Sequence, residues 1–168
     1  MKYIDIDNVY AIRDLNLTFN NDIEDIIQST LKKDLIKIKI NKKTIDKIRG
    51  LKVIENSILV IYLDNSKILF YLFVYDKILE KNITMGVDVV YGKFLKNKTN
   101  PFLIFVNFNK FSELLDWYND NSLNIYFYDN KSPIIVEGTE KIGIIAPIVE
   151  SGELNGQWIH WSQLCICN

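Results

Sequence analysis

The chain is short of the residues from which active sites are most often built. One histidine, His160, stands among 168 residues, and the only two cysteines, Cys165 and Cys167, lie close to the last residue. There is no Gly-rich phosphate loop, no metalloprotease helix and no nucleophile elbow. Any His-based triad would depend on His160 alone. Asp5 and Asp7 are the nearest approach to paired carboxylates, and an exposed strand edge explains them equally well. Zinc held by His160, Cys165 and Cys167 would need a further ligand such as Glu150 or Glu153, because structural zinc takes four. These shortages point away from an enzyme, and no cofactor or metal is expected.

An excess of either charge is missing too. Twenty basic and 21 acidic side chains leave a formal net charge of −1, so the chain has no global basic footprint of the kind nucleic-acid binders often carry. Arg13 and Arg49 are the only arginines, Ala is rare, and Ile, Asn and Lys are abundant. An A+T-rich genome gives that bias, so lysine content alone means little. The longest apolar stretch, "ILFYLFVY" at 68–75, is too short to cross a bilayer. The opening "MKYIDIDNVY" alternates with acids and lacks the apolar core of a secretory signal. A cytoplasmic protein with reduced thiols and no membrane partner is expected. The Asn-x-Thr triplets at Asn16, Asn82 and Asn97 then carry no meaning.

What the sequence does hold is repetition. "LVIYLDNSK" at 59–67 returns as "LNIYFYDNKSP" at 123–133, with Tyr62 matching Tyr126. Upstream, "IKINKKTIDKIRGL" at 38–51 is echoed by "VNFNKFSELLDWYND" at 106–120. Aligning Asn41-Lys42 with Asn109-Lys110 leaves a four-residue difference in one loop. Such repeats define architecture. Each copy reads as strand, helix, then three strands. In the first, residues 35–40 alternate as a strand, Asn41 caps a helix to Arg49, and strands follow at 58–63, 68–75 and 88–94. In the second, a strand at 102–108 leads to a helix capped by Asn109, with Phe111, Leu114, Leu115 and Tyr118 on one stripe. Strands follow at 124–128, 133–137 and 142–148, where Pro147 implies an edge or a strand end. Asp-Asn turns join the hairpins. Residues 1–34, with a short strand at 3–7 and a capped helix after Asn21 or Asp22, have no partner in the repeat. The run at 68–75 has no polar face, so both its faces should be covered, by residues 1–34 or by another subunit. The expected fold is α+β: a duplicated strand–helix–three-strand unit spanning 35–94 and 102–149, helices on one side of antiparallel sheet, an extension over 1–34 and a tail over 150–168.

This duplicated unit resembles the processivity fold of DNA sliding clamps. "LNIYFYDNKSPIIVEGTEKIGIIAPI" at 123–148 is similar to the end of a bacterial beta-clamp domain, and "FNKFSELLDWYND" to the clamp's second helix. The likeness covers about residues 35–149. It implies a non-enzymatic replication or repair protein that works by self-assembly, or with another clamp subunit, binding duplex DNA and polymerase-type clients. One domain stands where bacterial clamps carry three per chain, so a ring would need about six copies or a partner chain. On this resemblance Lys42, Lys43, Lys47 and Arg49 would meet phosphates, and Pro147, Ile148 and Val149 would rim a peptide pocket. Two features depart from the pattern. Glu113, Asp116 and Asp120 make the second helix acidic, and Ile148 stands where clamps carry Arg after the terminal Pro.

The tail "GQWIHWSQLCICN" contains Gln163-Leu164-Cys165-Ile166, which resembles the peptide that clamp clients insert. A closing strand packing its aromatics explains it equally. The competing functional reading is a small protein-binding module of immunity or antitoxin type without DNA affinity. Its contacts would be Glu113, Asp116, Trp117 and Asp120, with Trp158 and Trp161.

Overall fold

The computed structural model describes residues 1–7, 9–51, 57–76, 78–94, 100–148, 153–154 and 157–158. Two strands, β1 (Lys2–Ile4) and β2 (Tyr10–Asp14), lead into helix α1 (Asp22–Leu31). The first repeat unit is β3 (Ile36–Asn41), α2 (Lys42–Gly50), β4 (Ile58–Leu63), β5 (Lys67–Asp76) and β6 (Lys81–Tyr91). The second is β7 (Phe102–Asn107), α3 (Phe108–Asp116), β8 (Ser122–Phe127), β9 (Ile134–Glu137) and β10 (Lys141–Ile145). Two short strands, β11 (Glu153–Leu154) and β12 (Gln157–Trp158), pair with each other.

The units exchange their first strands. One sheet runs β6-β5-β4-β7 and the other β1-β2-β10-β9-β8-β3. Strand β7 of the second unit therefore pairs with β4, from Ile58 opposite Asn107 to Leu63 opposite Phe102. Strand β3 of the first unit pairs with β8, from Asn41 opposite Ser122 to Ile36 opposite Phe127. These two registers make Asn41 and Asn107 equivalent, and Tyr62 and Tyr126 equivalent. The expected match of the tyrosines stands, while the partner of Asn41 moves from Asn109 to Asn107. The physical reason is Phe108: it is 1% exposed and opens the helix toward the core, so the preceding Asn107 is the last extended residue and caps it.

The hairpin turns repeat at the atomic level. Asp64 Oδ1 accepts from Ser66 N at 2.7 Å and Lys67 N at 2.8 Å. Asp129 Oδ1 accepts from Lys131 N at 2.9 Å and Ser132 N at 2.7 Å. At both turns burial opposes the charged form, but the N–H donations outweigh it and hold the carboxyl below its ordinary value.

Both sheets turn one face toward α2 and α3. Ile45 and Ile48 of α2 and Phe111, Leu114 and Leu115 of α3 join one core with Ile12, Ile38, Ile40, Leu59, Ile61 and Phe70. Each such side chain, fully buried, contributes about 1.5–3 kcal/mol. The two helices pack on each other, on the same side, as expected. Helix α1 lies on the opposite face of the larger sheet, where Ile27 and Phe19 meet Ala11, Ile135, Ile142 and Ile144. This corrects one expectation. Residues 1–34 do not cover the apolar run of β5. They extend the other sheet, β2 lying antiparallel to β10, and cover its outer face. The outer face of the β5 sheet is packed at Ile58, Val60 and Phe73 by Tyr71, Leu103, Phe105 and Ile148.

Strand ends also differ from expectation. β6 begins at Lys81 rather than 88 and ends at Tyr91. β10 stops at Ile145, two residues before Pro147; Ala146 N still donates to Val9 O, and Ile148 N donates to Phe105 O of the other sheet. The chain crosses there from one sheet to the other.

Candidate nucleic-acid interface

Helix α2 carries the four side chains singled out for phosphates, and the structure shows what each does. Asn41 Oδ1 accepts from Thr44 N at 3.0 Å and starts α2 with Lys42 and Lys43 in its first turn. Lys42 pairs with Asp46 at 3.2 Å one turn along, both groups exposed. Lys47 Nζ reaches Asp88 on β6 at 3.1 Å, and the other Asp88 oxygen accepts from Thr44 Oγ1 at 2.6 Å. Burial raises the Asp88 pKa, but the Thr44 hydroxyl, the Val89 N–H and Lys47 together bring it below the usual carboxylate range. Arg49 Nε donates to Asp116 of α3 at 2.7 Å. Lys43 makes no ion pair among the described residues. It lines, with Lys39, Thr44, Asp88 and Tyr91, a polar hollow of about 290 Å³ between α2, β3 and β6.

The acids of α3 are engaged as well. Asp116 holds Arg49 across the helix pair. Glu113 is 3.6 Å from Lys110, whose ammonium also donates to Asp5 at 2.9 Å. The Lys110 hydrogen bond is the largest influence on Asp5 and lowers its pKa, against the effect of burial. That bond raises the pKa of Lys110 in turn. Asp120, expected on this helix, lies beyond its end at Asp116; it accepts from Thr139 N at 2.8 Å and from its hydroxyl at 2.9 Å, so it braces the β9–β10 turn. The helix face is thus laced by intramolecular pairs, most of them partly exposed and individually worth about 0–1 kcal/mol.

Asp5 corrects the sequence reading of an exposed edge: it is buried, 6% exposed, and bound by Lys110 and by Asp7 N. Sequence reasoning also missed Asp88 and Lys110, whose partners come from remote segments that no local pattern reveals. Trp117 is 36% exposed, its ring centroid 5.1 Å from that of Tyr3, and its Nε1 donates to Tyr10 Oη at 3.4 Å.

Pro147 and Ile148 are half-buried where the chain crosses between sheets. The apolar hollow beside this crossing is lined by Val9, Ile23, Ile26, Pro133, Ile144 and Ala146. Val149, His160, Trp161, Gln163, Leu164, Cys165 and Cys167 lie outside the described residues. Among the described residues there is no group of three or more potential metal ligands, and no helix long and apolar enough to cross a membrane.

No family profile matches the chain, and no curated protein sequence does. Its fold does match solved structures. The Helicobacter pylori beta clamp bound to a DNA ligase peptide is 16% identical with a TM-score of 0.52, over 84% of this chain and 39% of the other. The DNA polymerase III beta subunit of Thermotoga maritima gives 14% identity and 0.53, over 82% and 36%. A beta subunit from Eubacterium rectale, described as putative, gives 16% and 0.53, over 88% and 40%. The chain has the sliding-clamp fold, and it spans about two-fifths of the length of these structures.

Proposed function

We propose that this protein is a non-enzymatic, clamp-like factor of DNA replication or repair that self-associates and binds duplex DNA, polymerase-type clients, or both. The observation that carries this reading is the duplicated architecture of this chain, whose fold matches that of a DNA polymerase III beta subunit. In one of the similar structures the clamp holds a DNA ligase peptide, which supports a protein client as well.

Phosphates would meet Lys42, Lys43, Lys47 and Arg49. Lys43 comes first because it pairs with no carboxylate among the described residues. Lys42, Lys47 and Arg49 sit in exposed or half-exposed pairs, which a polyanion can open at small cost. The rim at Pro147, Ile148 and Val149 would take an apolar peptide, and Gln163 and Leu164 would serve as such a peptide toward a neighbour or a host clamp.

Fluorescence anisotropy of a labelled duplex, titrated at several salt concentrations, tests the DNA contact. The expected result is sequence-independent binding that weakens steeply with salt. Absence of binding at low salt would overturn the DNA contact and favour the protein-binding module.

A further inference from the structure

On the face of the larger sheet turned away from α2 and α3, helix α1 packs over one side, where Ile27 meets Ala11, Ile135 and Ile144. Tyr126 of β8 borders that cluster. Beyond it lies the edge strand β3. Its Ile38 and Ile40 enter the core, so Lys37 and Lys39 alternate with them onto this outer face, and both are exposed.

Two rows run side by side here. Lys39 stands opposite Asn124, and Lys37 opposite Tyr126, whose ring centroid is 5.6 Å from the Lys37 ammonium. Lys33, just before β3, continues the basic row. Its ammonium donates to Ser132 Oγ at 3.3 Å and lies 4.6 Å from the ring centroid of Tyr128, two residues beyond Tyr126 and 41% exposed. None of the three lysines pairs with a carboxylate among the described residues. Their own segment carries one exposed acid, Asp34. Two further acids are occupied: Asp129 accepts from its turn, and Glu137 from the Tyr126 hydroxyl at 3.1 Å.

We propose that these rows bind single-stranded DNA, with bases on Tyr126 and Tyr128 and phosphates along Lys33, Lys37 and Lys39. The charge suits a polyanion, and the rings decide which one. A duplex keeps its bases stacked about 3.4 Å apart with their faces turned to one another. Alternate residues along a strand lie about 6.6 Å apart, so the two rings suit bases that have come apart. An acidic peptide would satisfy the lysines and leave the rings unused. Each ammonium already sits over a ring at the surface, a weaker contact than a base stacked on that ring. The incoming base takes the ring, and the displaced ammonium turns to its phosphate. Asn124, next in the row of rings, offers an amide to a base edge. This surface lies across the sheet from the α2 lysines. It goes beyond the proposed function and rests on that reading only for the choice of DNA over RNA.

Fluorescence anisotropy of a labelled oligo-dT with the full chain, run beside a labelled duplex, tests it. The oligo-dT should bind, less tightly as salt rises. Lys37→Glu and Tyr128→Ala, both at exposed positions, should each weaken that binding about tenfold with melting temperature and duplex affinity unchanged. Tyr128→Phe, which keeps the ring, should bind as the native chain does. Native affinity in Tyr128→Ala, displacement by poly-glutamate as effective as by unlabelled oligo-dT, or a loss that follows Lys43→Ala instead of Lys37→Glu would each overturn the surface. Tighter binding of oligo-rU would overturn its assignment to DNA. Duplex binding without oligo-dT binding sinks this inference alone, and the reverse result sinks only the duplex contact.

Discussion

Asn41 and Asn107 are the same residue of the fold written twice. Each ends the first strand of its unit, and each side chain accepts from the backbone N–H three residues on, Thr44 and Lys110, at 3.0 Å. Replacing a capping Asn by Ala costs about 1 kcal/mol. N41A and N107A should each lower the unfolding free energy by that amount, read as a lower urea midpoint at unchanged slope, whereas N109A, within the first turn of α3, should leave it nearly unmoved.

A second expectation concerns the approach of α3's end to β10. Tyr118, 5% exposed, donates its hydroxyl to Val136 O at 2.7 Å. A Cβ on Gly143 would lie 2.6 Å from that hydroxyl oxygen and 2.8 Å from Leu114 Cδ1. Gly143→Ala should destabilise by about 1–3 kcal/mol through overpacking. Tyr118→Phe should cost about 1 kcal/mol by removing this hydrogen bond. The double variant should cost less than the sum, because removing the hydroxyl makes room for the methyl.

The pH dependence follows from the buried pair between β2 and α1. Arg13 forks onto Glu24, Nε and Nη2 each at 2.8 Å, and Glu24 also accepts from Phe19 N and Gln28. Burial pushes the Glu24 carboxyl up, yet these donors win and hold it below its ordinary value. A depressed carboxyl stabilises fully above its unfolded pKa and loses that contribution as pH falls through the folded one. Asp64, Asp88 and Asp129 act in the same direction. Chemical denaturation should therefore show stability falling below the ordinary carboxylate range, with a shallower fall in Glu24→Gln. Glu24→Ala should cost about 3 kcal/mol near neutrality, since it strands a buried guanidinium.

The alkaline limb has the opposite origin. Lys110 is held charged by Asp5, so its contribution is complete below the unfolded lysine pKa and is lost as pH rises through the higher folded value. Burial keeps the Tyr118 phenol neutral, and the unfolded chain ionises first. Asp5→Asn should shrink the lysine part of this limb, leaving the share that Glu113 supports, and leave the tyrosine part.

On the helix face, Lys43→Ala should weaken duplex binding and reduce the salt slope by about 1. Asp116→Asn should strengthen binding by releasing Arg49. Anisotropy titrations of both variants across a salt series check the pair of expectations.

Local chemistry explains which parts of the fold were readable in advance. The Asp-Asn turns, the Tyr62–Tyr126 match and the stripe of Phe111, Leu114 and Leu115 are written within a few residues of one another. The cap of α3 is ambiguous in sequence because "NFN" offers two asparagines, and only the burial of Phe108 decides for Asn107. Pairings across long separations were not legible. Nothing near Tyr10 indicates that β2 will lie beside β10, and nothing near Asp88 indicates that it will fix Lys47. The phosphate candidates on α2 rest on the resemblance to sliding clamps, and the carboxylate partners of Lys47 and Arg49 on β6 and α3 arrive only through the tertiary fold.

The strand exchange has a consequence for the fold's ancestry. β3 completes a ladder with β8 and β7 completes one with β4, so the first strand of each unit has no seat in its own sheet. A progenitor holding a single copy could have satisfied that strand only in a sister molecule. It would have lived as an interlaced pair of identical chains, and joining two such genes end to end would make that partnership one polypeptide.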